Sequence, residues 1–158
     1  MHDTITTYSE NIHDIAVNTF EITCYMFPLE EWELEDAGDI EQPNGSIRAL
    51  VEFDGAAEGA MVIAPTENLA DAIAQNMLGV DEVQVSDREG ALCEIANIVC
   101  GNTVPIFAKD ENICYIRPPR IVNTDENPDE MFSHMRKEET TVNLDEGTVD
   151  ITIYYKAD

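Results

Sequence analysis

The end of the sequence constrains the fold most. Val149, Ile151, Ile153 and Tyr155 recur at every second position after Asp145-Glu146-Gly147, and Val142 and Leu144 lie on the other side of that turn. A two-residue period puts side chains on one face of an extended strand, so the segment reads as a hairpin with one covered face. A second hairpin is written earlier. Ile47, Ala49, Val51 and Phe53 alternate with polar neighbours such as Arg48 and Glu52, Asp54-Gly55 offers a turn, and Met61 and Ile63 sit on the returning strand.

Helical spacing fills much of the rest. From Thr6 to Met26, Ile12, Ile15, Thr19, Ile22 and Met26 line one helical face, and Phe27-Pro28 is placed to end that helix. Leu69, Ile73 and Met77 mark a shorter helix closed by Gly79, and Ser86 with Glu89 has the capping-box pattern that starts another. The acidic stretch Leu29–Gly45 reads as a solvated connection, with Trp32 packed over the edge of the core. Pro118-Pro119 interrupts an extended segment from Ile113 to Val122, which suits an edge strand or bulge, and residues 123–129 read as a polar loop. The pattern predicts an α+β fold (α/β in the broad sense) in one domain. A largely antiparallel sheet is built from two helix-then-hairpin halves, with long helices on one face.

Charge narrows the list of partners. The chain holds 33 Asp and Glu against 8 Lys and Arg, a net charge of −25 over 158 residues. Polyanions are repelled by such a surface, so nucleic acid and membrane surfaces are not expected partners. Apolar residues still make up 44% of the chain, enough for a core, which argues against global disorder. The acidity fits a solubility device or adaptation to high salt. No apolar run approaches membrane-spanning length and the N-terminus has no export pattern, so a cytoplasmic location is expected. Cys24, Cys93, Cys100 and Cys114 lack paired spacing and read as small buried apolar groups, and His2, His13 and His134 are scattered, so no metal site is expected.

The helix after Ser86 carries the candidate chemistry. At 100° per residue, Leu92, Ile95, Ala96, Val99 and Thr103 fall on one core-facing stripe, while Gly90, Glu94, Asn97 and Gly101 cluster around the opposite pole. Glu94 and Asn97, three positions apart, rise from neighbouring spots and can reach one target together. Glycine inside a helix costs about 1 kcal/mol relative to alanine, so two glycines on the outward face suggest close approach by another macromolecule. Spacing alone favours the simpler reading, in which Gly90 lies near the helix start, Gly101 begins its fraying before Pro105, and Glu94 and Asn97 belong to an ordinary solvated face.

Residues 90–102, GALCEIANIVCGN, resemble the signature helix of the bacterial chemotaxis phosphatases of the CheC, CheX and FliY group. In that family Glu-x-x-Asn is followed some twenty residues later by a proline, matched here by Glu94, Asn97 and Pro118 or Pro119. The order of the long first helix, the hairpin, the signature helix and the last strands extends the resemblance over most of the chain, which implies one CheX-like domain over residues 1–158. A single Glu-Asn set resembles the CheX-like branch, because Asp14 and Asn18 in the first helix have the wrong spacing for a second set. Gly90 stands where the family often has Ser or Asp, and the proline comes one or two positions early.

The resemblance implies a phosphatase acting on the aspartyl phosphate of a CheY-type response-regulator receiver domain. Asn97 would orient the attacking water and Glu94 would dock on the receiver's lysine, with no cofactor of the chain's own and Mg²⁺ held by the receiver. Gly90 and Gly101 are expected to let the partner approach. A non-catalytic receiver-binding or signalling-complex module of the same fold is the alternative, and a general acidic scaffold is a third class. The resemblance also implies a homodimer that continues a sheet across two chains, for which Val149–Tyr155 is a candidate edge.

Overall fold

Alternation in the two hairpins gives the sheet two distinct faces, and the apolar one is covered by helices. A computed structural model of the chain describes residues 8–107 and 113–156. The first helix, α1, spans Ser9–Cys24, and a short helix, α2, spans Glu31–Asp36. The first hairpin is β1 (Ala49–Gly55) with β2 (Gly59–Pro65), followed by α3 (Glu67–Leu78) and α4 (Val85–Thr103). Two short strands, β3 (Cys114–Ile116) and β4 (Arg120–Ile121), flank the prolines, and α5 (Pro128–Met131) precedes the final hairpin of β5 (Arg136–Leu144) and β6 (Gly147–Tyr155).

The strands form one antiparallel sheet in the order β3-β1-β2-β6-β5, with β4 also paired to β1. Val51 pairs with Met61, and Met61 with Ile153, so residues of like parity stack into rows across the sheet. Phe53, Met61, Ile63, Ile151 and Ile153 face the layer of α1, α3 and α4, where Phe20, Leu69, Ile73, Leu92 and Ile95 complete the core. The intervening positions form the second face. There Leu50, Val62 and Tyr154 gather with Val122 and Phe132 in a smaller cluster. This α+β architecture is the one expected from the sequence, with the long helices on one face.

Several local expectations are corrected. α1 ends at Cys24, because Tyr25 takes the left-handed conformation (φ 56°) and its amide returns to the Glu21 carbonyl. Met26 is therefore buried beyond the helix rather than within it. The buried stripe of α1 is Ile12, Ala16, Thr19, Phe20 and Cys24, and Ile22 turns outward. The expected first residues of this helix, Thr6 and Thr7, lie outside the described residues. Trp32 is 65% exposed on α2, because that helix buries none of its residues. The start of α4 falls before Ser86: Val85 is its first residue, and the Gln84 amide donates to Asp87 Oδ2 at 3.0 Å. Residues 123–129 run into α5, with the Asn127 side chain accepting from the Asp129 amide.

β6 is not an edge. It lies between β2 and β5, and among the described residues the free edges belong to β5 and to the β3/β4 side. The Pro118-Pro119 interruption lies on that second edge, as its missing amide donors require. Cys24 and Cys100 are buried thiols, and burial pushes them up to about 11 and about 12; Cys93 and Cys114 are half-buried. Among the described residues no helix is long and apolar enough to cross a membrane, and no cluster of His, Cys, Asp and Glu could hold a metal ion.

Candidate functional site on the outward face of α4

The apolar stripe of α4 sets where its polar residues point. Leu92, Ile95, Ala96, Val99, Cys100 and Thr103 are all buried, against α1 and α3 on either side and β1 and β2 beneath. Burying that stripe leaves Gly90, Glu94 and Asn97 in solvent on the opposite side. Among the described residues neither the Glu94 carboxylate nor the Asn97 carboxamide has a hydrogen-bond or ion-pair partner. Two polar side chains are thus held side by side on a rigid helix with their hydrogen-bonding capacity unspent.

The two glycines differ. Gly90 has open space where a Cβ would stand, so nothing inside the chain demands a glycine there. Gly101 is half-buried, and a Cβ on it would lie 3.6 Å from Ile116 Cδ1, in ordinary contact with β3. Pro118 and Pro119 follow β3, which packs against α4 together with β4. The sheet edge with the prolines is therefore a neighbour of the helix bearing Glu94 and Asn97.

One supporting group was not anticipated from the sequence. Arg88 on α4 forms an ion pair with Asp71 on α3, its Nη2 at 2.6 Å and its Nε at 2.8 Å from Oδ1. The bond fixes the first half of α4 against α3 and uses the positive charge nearest to Glu94 on its own helix. A signal for it existed, since Arg88 is the one Lys or Arg between Arg48 and Lys109. Next to the pair, the Cys93 thiol is raised by burial and by Glu89, so it stays protonated and is no nucleophile at neutral pH.

The arrangement can accept a cation at Glu94 and orient a small hydrogen-bonding molecule at Asn97. Among the described residues neither a base-activated nucleophile nor a phosphate-cradling loop accompanies the pair.

The chain is similar over nearly its whole length to solved CheX structures. The chemotaxis protein CheX from Vibrio vulnificus is 19% identical, with a TM-score of 0.69, covering 98% of this chain and 100% of that one. The chemotaxis protein CheX from Desulfovibrio desulfuricans is 15% identical, also with a TM-score of 0.69, covering 94% and 98%. A CheX–CheY–BeF3–Mg²⁺ complex from Borrelia burgdorferi matches at 18% identity and a TM-score of 0.64, covering 96% and 99%. These likenesses establish the fold. No curated protein sequence matches the chain. The profile of the family described as chemotaxis phosphatase CheX matches residues 47–131, a stretch that includes Gly90, Glu94, Asn97, Gly101 and both prolines. That match spans more than half of the 158 residues, and the chain belongs to the chemotaxis phosphatase CheX family.

Proposed function

We propose that this protein dephosphorylates the aspartyl phosphate of a CheY-type receiver domain, using Glu94 and Asn97. The observation that carries the reading is the outward, unpartnered position of both side chains on α4 in a chain of this family. An acyl phosphate is already activated, so the main barrier left to lower is the placing of a water in line with the scissile bond. Asn97 offers one donor and one acceptor to that water and cannot take up its proton. As the water oxygen bonds to phosphorus, the bond from phosphorus to the aspartyl oxygen breaks. The receiver's carboxylate is regenerated, and the proton leaves with inorganic phosphate.

Glu94 docks the helix by pairing with the receiver's active-site lysine. The protein needs no metal or cofactor of its own under this reading, since Mg²⁺ belongs to the receiver. Gly90, with open space around it, lets the partner's loops come close to the helix backbone, and Gly101 extends that contact toward β3. The solved CheX–CheY–BeF3–Mg²⁺ complex of a structural relative supports a partner of this class. Residues 1–158 are read as one domain of the family. A homodimer, if formed through a sheet, would use the β5 or the β3/β4 edge, because β6 is enclosed.

Release of inorganic phosphate from a cognate phosphorylated receiver tests the proposal. The wild-type protein should accelerate it beyond the receiver's own hydrolysis. Binding without acceleration would point to the non-catalytic module instead.

A further inference from the structure

The face of the sheet turned away from α4 holds a cleft that the receiver reaction does not use. Leu50, Val62 and Tyr154 mark this face, and strand register sets what lies beside them. Ala64 pairs with Asp150, and Asp150 with Thr141. Arg48 directly precedes β1, and one step beyond the Ala49–Ile63 pair it comes opposite Ala64. Arg48, Ala64, Asp150 and Thr141 therefore form one row across the sheet, with their side chains on the same face. Strands lie about 4.8 Å apart, so the Arg48 and Asp150 backbones are about 10 Å apart, with only the methyl of Ala64 between them. The row lies in a cleft of about 380 Å³, which the loop at Pro43 and Gly45 and the start of α5 also line. That is room for a molecule of amino-acid size.

The two walls of the cleft carry opposite charge. Arg48 has no ion pair among the described residues: its Nη2 donates to the Asn123 and Glu126 carbonyls, both at 3.2 Å, and its Nε is shielded from water with no acceptor. The neighbouring Glu126 carboxylate is engaged by Arg120 through both oxygens at 2.8 Å. On the opposite wall Asp150 accepts the Thr141 hydroxyl at 2.8 Å and has no cation among the described residues. Lys137, the lysine of that wall, is held between Asp129 at 2.9 Å and Glu139 at 2.8 Å. An uncompensated charge on a cleft wall is satisfied when a ligand brings the opposite one. A simple anion is disfavoured by the net charge of −25, and a simple cation leaves Arg48 unmatched. We propose that this cleft binds a small zwitterion of the amino-acid class, its carboxylate on Arg48 and its ammonium on Asp150. The site lies across the sheet from Glu94 and Asn97 and does not rest on the function proposed above.

The test is calorimetric titration of the wild-type protein with each of the protein L-amino acids and with γ-aminobutyrate, whose charges lie further apart. Acetate and methylammonium serve as single-charge controls. At least one amino acid should bind with a Kd below about 1 mM, and both controls at least about tenfold more weakly. Arg48→Gln and Asp150→Asn should each raise that Kd about tenfold or more, since each removes one of the charges that meets the ligand. Ala64→Val keeps both charges and suits a strand, so it folds; by filling the floor between the two walls it should raise the Kd to a similar extent. Binding of none of the amino acids would overturn the proposal. So would a Kd left unchanged by Ala64→Val and by both charge variants, which would place the ligand elsewhere. Acetate bound as tightly as the amino acid would overturn it too, by assigning Arg48 to a simple carboxylate.

Discussion

Asn97 and Glu94 share a helix face but should fail differently when removed. Under the proposed mechanism, Asn97→Ala deletes the group that orients water and leaves the rest of the docking surface intact. Receiver affinity should stay within about twofold, while the dephosphorylation rate falls by about 100-fold, the scale of a lost positioning contact. Glu94→Ala removes the charge proposed to meet the partner's lysine, so binding and turnover should both drop, as equilibrium binding and phosphate-release rates will show. Glu126 tests electrostatics away from the site. Arg120 and the Asn123 amide hold its carboxyl down at about 2 from an ordinary 4.5. Because the folded state lowers this value, the stabilisation is present above about pH 4.5 and is lost as pH falls toward 2. In Glu126→Gln the melting temperature should fall less steeply across that window. The change will be small, since Arg120 is exposed and Glu126 only partly covered, so solvent screens the pair.

At the scale of elements, Gly90 offers a prediction with two readouts. It lies inside α4 with open space where a Cβ would be, so Gly90→Ala should stabilise the protein by about 0.5–1 kcal/mol in denaturant unfolding. If the partner's loops approach the backbone there, the same variant should lose receiver affinity. α4 is also where the sequence was most legible. Its apolar residues recur cleanly enough that every position of the expected stripe is buried, which left the position of Glu94 and Asn97 no freedom. α1 was less legible because it is apolar on more than one side. Of the expected stripe Ile12, Thr19 and Met26 are buried and Ile22 is not, while Ala16, Phe20 and Cys24 pack inward as well, and only the neighbouring helix and sheet decide which apolar residues are covered. Ile22 was misplaced for that reason: an apolar residue at helical spacing reads as core until its neighbours are known. The start of α4 was missed by a residue or two because Ser86 is a better capping residue than Gln84, yet Asp87 serves Gln84 from within the helix.

For the molecule as a whole, the imbalance of 33 acidic against 8 basic side chains is the dominant long-range term. Few of the acids are offset by ion pairs among the described residues, such as Asp71 with Arg88 and Glu126 with Arg120. Self-repulsion on this scale opposes folding and is screened over about 8–10 Å at physiological salt. Raising the salt concentration from about 0.05 to 1 M should therefore raise the melting temperature. The same screening should leave receiver association unchanged or speed it, since a receiver's phosphorylation pocket is itself acidic. The order of strands in the sheet was the part of the architecture that hairpin patterns could not supply. Val149–Tyr155 has the same alternation at an edge or in the middle, and its place between β2 and β5 depends on which hairpin edges meet.

The central claim is that an amide on α4 supplies the water-positioning step of receiver dephosphorylation. It is tested most directly by following the decay of a phosphorylated cognate receiver with wild-type protein and with Asn97→Ala, at concentrations matched to their measured affinities for the beryllofluoride-activated form. The account predicts acceleration by wild type and decay at the receiver's own rate with the variant bound. Equal acceleration by both proteins would contradict it.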